Sequence, residues 1–284
     1  MTNETNIDER IDTRYLLSLG KRVRLDNIMD RKTGRTVIIP MDHWVSGPVK
    51  GLDNMAEAVD KVAMGGANAI ILHKGIIKYS WRGPKGSGRP LALGVHTSAG
   101  NPVGPNEHCK SPVATVEDAL RYDADFVSNH MNVGSENQDE QFENFGNLVS
   151  ECEKWGMPLL SMMYYRGPKI SKDETLKPKN IKYVARLGAE LGADIVKVNY
   201  TGDKESFEDV VKSCPAPIVI AGGPKREKEE EFLQDVYDSI QAGGKGVSIG
   251  RNIFEHSNPT YMTRVICNIV HEDMKPEDAK LHAK

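Results

Sequence analysis

The feature that most constrains this chain is a regular alternation of short apolar runs with longer amphipathic stretches. Eight runs rich in β-branched residues have the length and composition of buried strands. They cover residues 36–42, 69–74, 91–96, 126–131, 158–165, 194–200, 217–223 and 246–252. Stretches with helical spacing follow most of them, at 54–66, 115–122, 138–155, 180–192, 205–213, 229–244 and 259–272. Strictly alternating β and α elements predict a parallel sheet.

The number of units and the chain length together select one kind of parallel sheet. Eight β/α units in 284 residues fit a TIM (β/α)8 barrel, for which about 250 residues are typical. A doubly wound open sheet is the alternative, but it needs a glycine fingerprint after the first strand, and "IIPMDHW" (38–44) has none. We therefore expect an α/β barrel domain at 36–275. Residues 1–35 are expected to form an N-terminal helical extension whose segment 22–34 plugs the barrel bottom, and 276–284 a C-terminal tail.

Composition and charge exclude several functional classes. The formal net charge of −3 gives no sign of a nucleic-acid or membrane surface. The four cysteines are far apart and form no C-x-x-C pair, which fits a reducing compartment better than a disulfide framework. The polar start of the chain has no signal-peptide core, and no apolar run approaches the roughly 20 residues that span a bilayer. These features predict a cytoplasmic protein.

Lys197 is the sharpest candidate for chemistry, because it interrupts the apolar run "DIVKVNY" (194–200). Strand alternation places Ile195, Lys197 and Asn199 on one face. If that face points into the barrel, the amine is partly desolvated, and desolvation favours the neutral form, a nucleophile toward carbonyls. An amine in this position can form a Schiff base with a carbonyl substrate. The alternative is a lysine that extends to the barrel mouth or pairs with Asp42.

Two glycine turns end the last two predicted strands, where TIM barrels commonly bind phosphate. Gly222 and Gly223 follow the seventh strand, and Gly250 and Arg251 follow the eighth. Backbone N–H groups and an arginine bind a phosphate group well, although a lone glycine pair is more often a plain turn. Two such turns together predict a phosphorylated small-molecule substrate.

Other polar residues at strand ends supply acid–base candidates. Asp42 ends the first strand, and Tyr164 or Tyr165 ends the fifth, next to Arg166. Carboxylate and phenol groups can make the proton transfers that Schiff-base chemistry needs. Alternation alone does not say which tyrosine faces inward, and helix capping or core packing are the plain alternatives for these side chains.

Histidines at four strand ends raise the question of a metal, but the spacing argues against one. His43, His73, His96 and His130 form no H-x-H or H-E-x-x-H motif, and few carboxylates lie near them in the sequence. We expect no metal and no other cofactor. Lys74 is expected to hold an anion or to close a salt bridge.

Taken together, several motifs resemble those of the archaeal-type class I aldolases. They are "PMDH" (40–43), "ILHKG" (71–75), "MNVGS" (131–135), "WGMPLLSMMYYRGPKI" (155–170), "GADIVKVNYTGD" (192–203), "CPAPIVIAGGPK" (214–225) and "GVSIGRNIF" (246–254). The group includes fructose-bisphosphate aldolase and 2-amino-3,7-dideoxy-D-threo-hept-6-ulosonate synthase, a transaldolase of aromatic amino-acid biosynthesis. The resemblance covers nearly all of residues 20–272, and the wording of its motifs is closer to the synthase.

The resemblance implies a metal-independent aldolase or transaldolase that acts on a phosphorylated keto-sugar. Lys197 matches the Schiff-base lysine, Asp42 the general base and Tyr164 the proton donor. The substrate and phosphate positions fall on His43, Arg166, Gly222, Gly223, Gly250 and Arg251. The family also forms homo-oligomers, as pentamers or decamers.

Three departures from the family pattern leave other functions open. Trp44 replaces a glycine, Tyr165 a proline and Val198 a threonine, and we expect Trp44 and Tyr165 to crowd the barrel mouth. A non-catalytic barrel that binds a phosphorylated metabolite is one alternative. A thiolase-type relative that acts on a phosphorylated diketone is another. Loops 79–90 and 166–180 are expected to determine which acceptor aldehyde is used.

Overall fold

Eight parallel strands close into a barrel, which confirms the predicted TIM-barrel fold. The computed structural model describes residues 18–80, 91–225 and 228–283. The barrel strands are β1 (Thr36–Pro40), β2 (Ala69–His73), β3 (Ala92–His96), β4 (Phe126–Val133), β5 (Leu159–Tyr165), β6 (Ile195–Asn199), β7 (Ile218–Ala221) and β8 (Gly246–Ser248). They pair in sequence order around the ring, and β1 closes it by pairing with β8, Thr36 opposite Gly246.

One helix precedes the first strand, and the others follow the strands and surround the barrel. They are α1 (Leu19–Ile28), α2 (Met55–Met64), α3 (Lys74–Ile77), α4 (Val116–Arg121), α5 (Gln138–Trp155), α6 (Lys172–Thr175), α7 (Pro178–Glu190), α8 (Lys204–Ser213), α9 (Glu229–Gln241), α10 (Arg251–Phe254), α11 (Pro259–Glu272) and α12 (Pro276–His282). Thr115 and Asp118 form a capping box at the start of α4. Among the described residues, no helix is long and apolar enough to cross a membrane.

Alternation along the strands divides the core into two layers. Inward residues such as Phe126, Leu160, Ile195 and Val219 form a cluster inside the barrel. Their strand neighbours, such as Val127 and Val196, belong to a separate cluster beneath the outer helices. This two-sided burial explains why the strands are nearly continuous apolar runs.

Helix α1 closes the bottom of the barrel, as expected for the segment 22–34, although this segment is helical as far as Ile28. Leu25 and Ile28 pack into the inner cluster. Lys21 is only 1% exposed and forms ion pairs with Asp194, at 2.9 Å, and with Glu153. These contacts fix the helix beneath β5 and β6.

The one-turn helices α3, α6 and α10 were not predicted, and neither were a short hairpin and helix α12. Ser98–Ala99 pairs antiparallel with Ser111–Pro112, which makes a short hairpin between β3 and α4. Helix α12 occupies most of the predicted tail and packs on α11, with Ala279 fully buried. The first 17 residues and most of loop 79–90 lie outside the described residues.

Candidate active site

Lys197 points into the barrel. It pairs with Met162 on β5 and Val219 on β7, and its side chain is in the same inward layer as these two residues. Only 6% of the residue is exposed, and Nζ lies 3.9 Å from the Met162 sulfur. The nitrogen therefore lies in a confined space that is largely shielded from solvent.

Asp42 lies two residues after the end of β1, with histidines around it. Its two oxygens each lie 3.5 Å from an imidazole nitrogen, Oδ1 from His43 Nδ1 and Oδ2 from His96 Nε2. Burial opposes ionisation of the carboxyl, but the electrostatic effects of His96, His43 and Lys197 together hold its pKa well below its usual range. Asp42 is therefore a carboxylate at neutral pH, close enough to Lys197 to interact with it.

The histidines of this cluster are neutral near pH 7. Burial lowers the pKa of His96 to about 4 despite the opposing charge of Asp42, and it lowers the pKa of His43 and His73 as well. Burial and the nearby charges of Lys110 and Arg166 hold the pKa of His130 well below its usual value. In the described part of the chain, no three His, Cys, Asp or Glu side chains are arranged to hold a metal ion.

Tyr164 faces the interior of the barrel, whereas Tyr165 faces outward. The ring of Tyr164 lies 4.9 Å from the His130 ring and 4.8 Å from the Arg166 guanidinium carbon. Tyr165 packs against the outer layer, with its ring 6.5 Å from that of Tyr183 on α7. The expectation that Tyr165 crowds the barrel mouth was therefore wrong, because strand alternation directs its ring beneath the helices.

Trp44 does lie at the mouth. It belongs to a 3-10 turn, His43–Ser46, that follows Asp42, and its side chain is half exposed. Together with Asp42 and His73 it lines a cavity of about 250 Å³. The expectation that Trp44 crowds the substrate stays a prediction.

The two glycine turns lie side by side at the ends of β7 and β8. Asn252 Nδ2 donates to Gly222 O at 2.9 Å and ties one turn to the other. A side chain at Gly250 would lie 2.7 Å from His43 Cε1, so only glycine lets the end of β8 approach the turn after β1. Arg251 begins α10, and its buried Nε makes no hydrogen bond with any described residue. These groups form an electropositive edge beside Asp42.

The remaining predicted cations have different environments. Arg166 covers the Tyr164 ring and makes no ion pair with the described residues. Lys74 pairs with Asp118 at 2.9 Å, which is the salt bridge expected as one of its two roles.

Two residues that face the site were missed. Ser128 lies inside the barrel, with its hydroxyl 2.7 Å from His96 Nδ1. Lys110 lies on the hairpin between β3 and α4, close enough to interact with Asp42, His96 and Arg166. The only sequence signal for Lys110 was its position in a long loop on the catalytic side of the barrel.

Comparison with known proteins identifies the family. The model of the DeoC/LacD family aldolases matches residues 36–256. The 2-amino-3,7-dideoxy-D-threo-hept-6-ulosonate synthase 1 of Archaeoglobus fulgidus is 42% identical over 260 residues, 92% of this chain and 94% of that protein. The 2-amino-4,5-dihydroxy-6-oxo-7-(phosphonooxy)heptanoate synthase of Streptomyces griseus is 33% identical over 253 residues, 89% of this chain and 90% of that protein.

Solved structures have the same barrel. An archaeal fructose-1,6-bisphosphate aldolase, whose catalytic lysine is covalently bound to the carbinolamine intermediate, matches 87% of this chain and 98% of its own. Its TM-score is 0.77 at 25% identity. The fructose-bisphosphate aldolase of Slackia heliotrinireducens matches 94% of this chain and 91% of its own, with a TM-score of 0.78 at 22% identity. The resemblance to class I aldolases inferred from the sequence is confirmed, and the chain belongs to the DeoC/LacD family of aldolases.

Proposed function

We propose that this chain is a Schiff-base transaldolase that transfers a phosphorylated keto fragment to an aldehyde acceptor. The observation that carries the proposal is the position of Lys197, buried inside the barrel near Asp42 and one strand away from Tyr164. The similarity to two synthases with heptulosonate and phosphonooxy-heptanoate products supports transfer as the reaction.

The proposed chemistry uses these three side chains in order. Lys197 Nζ attacks the ketone carbon of the donor, and the carbinolamine loses water to give an iminium ion. Asp42 removes the proton from the hydroxyl beyond the bond to be broken. The C–C bond breaks, its electron pair neutralises the iminium as an enamine, and an aldehyde leaves. The enamine then attacks the acceptor aldehyde, and water releases the product from Lys197.

Tyr164 is proposed to donate and recover the proton at the carbinolamine oxygen. It lies on the strand next to Lys197 and on the same inward face, two residues beyond Met162, which pairs with Lys197. The donor phosphate is proposed to bind at Gly222, Gly223, Gly250 and Arg251, with His43 beside it. The unpartnered Nε of Arg251 supports this assignment.

Borohydride trapping tests the proposal directly. Wild-type enzyme incubated with fructose 1,6-bisphosphate and borohydride should acquire a covalent adduct on Lys197, located by peptide mass spectrometry. Lys197→Met should abolish both the adduct and activity, while Lys74→Met, which alters an exposed ion pair, should retain both. Absence of any adduct in the wild type would favour the non-catalytic alternative.

A second experiment tests the expectation that the reaction needs no metal ion. Activity should survive prolonged dialysis against a chelator.

The cytoplasmic location and the homo-oligomer, a pentamer or decamer, are part of the same proposal. All four cysteines are free thiols, which supports a reducing compartment. Light scattering on the purified chain measures the subunit number, and a monomer at micromolar concentration would contradict the ring assembly.

A further inference from the structure

Ser248, the last residue of β8, carries a buried hydroxyl without a hydrogen-bond partner in the described part of the chain. The residue is 1% exposed, and its Oγ makes no hydrogen bond with any described group. Folded proteins rarely leave a buried hydroxyl unpaired, because the group loses its hydration and gains nothing in return. A ligand that brings the missing partner would remove this cost.

Strand alternation directs the hydroxyl into the barrel. Val247 and Ile249, on either side of Ser248, belong to the outer cluster beneath the helices, so the side chain between them faces inward. In the sheet, Ser248 pairs with Ile38 on β1 and with Ala221 on β7. Neither of these side chains can form a hydrogen bond, which explains why the hydroxyl has no partner on its neighbouring strands.

The register of the strands places Ser248 at the height of Lys197. Lys197 pairs with Val219 on β7, and Ser248 pairs with Ala221, two residues further along that strand. The shear of a TIM barrel shifts the register by about one residue per strand, so an offset of two residues over two strands corresponds to equal height. Alternate strands contribute one side chain each to a layer of four. By the same register, the members of this layer are Lys197, Ser248, Ser128 and Ile71.

The Schiff base proposed at Lys197 needs a hydrogen-bond acceptor at this height. An iminium at Nζ retains one N–H and carries a full positive charge. Nζ lies 3.9 Å from the sulfur of Met162, and a thioether is a weak acceptor. Asp42 is already assigned the proton of the donor hydroxyl, and the Ser128 hydroxyl contacts His96. Ser248 is thus the member of the layer whose hydroxyl is free to accept this N–H.

We propose that the Ser248 hydroxyl accepts a hydrogen bond from the iminium N–H of the Lys197 adduct. This inference rests on the proposed transaldolase function and adds a fourth polar side chain to its chemistry. The hydrogen bond stabilises the charged iminium more than the neutral amine, because bonds to charged groups are the stronger ones. Since the C=N bond is planar, an acceptor fixed in the barrel wall also fixes the direction in which the donor carbon chain extends.

The rate of borohydride trapping tests this contact, since borohydride reduces the iminium and leaves the carbinolamine intact. Dihydroxyacetone phosphate serves as the probe. At saturating probe, Ser248→Ala should slow trapping on Lys197 by about 10- to 100-fold, as expected for one lost hydrogen bond to a charged group. Ser248→Thr keeps the hydroxyl and should recover much of the rate. Ser161→Ala is the matched control, because Ser161 is an equally buried strand serine that faces outward and contacts Met163.

Binding of glycerol 3-phosphate separates this role from a contact with the phosphate group. This ligand has the phosphate but no carbonyl, so its Kd, measured by calorimetry, should be the same for Ser248→Ala and the wild type. Equal trapping rates for these two proteins would overturn the inference. So would a loss of glycerol 3-phosphate affinity as large as the loss in trapping rate, or a Ser248→Thr variant as slow as Ser248→Ala.

The trapping experiment also distinguishes this inference from the proposed function. If the wild type is trapped and Ser248→Ala is trapped equally fast, only the role of Ser248 fails. If the wild type forms no adduct, the transaldolase itself fails.

Discussion

His96 Nδ1 lies 2.7 Å from the hydroxyl of Ser128, a side chain that solvent does not reach. The other ring nitrogen faces the carboxylate of Asp42 at 3.5 Å. Because Asp42 is ionised, the ring proton belongs on Nε2, and Nδ1 then accepts a hydrogen bond from Ser128. The serine thereby fixes the tautomer of a histidine that orients the proposed general base.

Ser128→Ala should change the pH profile of turnover. Loss of the donor removes a hydrogen bond that stabilises neutral His96, so the pKa of the imidazole rises. The acidic limb of the kcat profile should move upward by about 0.5–1 pH unit, the equivalent of one ordinary hydrogen bond. Ser161→Ala is the matched control, because Ser161 is equally buried but its hydroxyl contacts Met163. An unchanged acidic limb in Ser128→Ala would show that the serine has only a packing role.

Stability should fall between pH 6.5 and pH 4. The unfolded chain binds a proton at each histidine near pH 6.5, while folded His96 resists protonation down to about 4. The unfolded state therefore holds more protons in this window, and stability decreases as the pH falls. At pH 5, His96 alone lowers the free energy of unfolding by about 2 kcal/mol relative to its value at neutral pH.

Urea unfolding at several pH values between 7 and 4.5 measures this effect. His96→Asn should flatten the pH dependence of the unfolding free energy. His282→Asn, at an exposed position on α12, should leave the slope of the wild type intact. Parallel pH profiles for His96→Asn and the wild type would contradict the assignment.

Tyr164→Phe should slow turnover by roughly 10²–10⁴, the usual range for loss of a general acid–base group. The ring keeps its contacts with His130 and Arg166, so the fold and the Lys197 adduct should survive. Tyr165→Phe is the natural control, since that ring packs outside the barrel. Single-turnover cleavage by the two variants gives the comparison, and a slow Tyr165 variant beside a normal Tyr164 variant would reverse the assignment.

Lys21→Met should lower the free energy of unfolding by about 3–5 kcal/mol, because it leaves the buried carboxylate of Asp194 without its partner. Adding Asp194→Asn should restore part of the loss. Lys182→Met is the surface control: its ion pair with Asp209 is exposed, and its removal should cost less than about 1 kcal/mol. Urea denaturation of the four proteins distinguishes these outcomes.

The sequence was informative about the barrel because each strand is buried on both faces. Such strands are apolar at nearly every position. Seven of the predicted runs contain a whole barrel strand, and the eighth, 126–131, covers all but the last two residues of β4. The ends of the strands were predicted less well. Strand β1 stops at Pro40 and β7 at Ala221, before the polar and glycine residues that we assign to the proposed site. Alternation also predicted that Lys197 shares a face with Ile195. The structure then showed that this face points into the barrel, because Ile195 belongs to the inner cluster.

The hairpin could not be predicted in the same way. Its two strands have two residues each, too short for any periodicity, and its fixation depends on amides from β4 and the start of α5. Lys110 faces groups distant from it in the chain, so its neighbours carry no local pattern. For Tyr165 the prediction was made and was wrong. Similarity to the family motif suggested that its ring lies at the barrel mouth, whereas strand alternation directs the ring outward against Tyr183.

The pairing of β1 with β8 has a consequence for how the protein is made. Asp42 follows the first strand to leave the ribosome, and Arg251 follows the last, so the two edges of the site meet only when the ring closes. A nascent chain that has emerged as far as β7 already contains the lysine and the aspartate, yet it lacks the last strand and the arginine that follows it. A metabolite that contacts both edges binds only the finished barrel, and its binding energy then opposes separation of the first strand from the last.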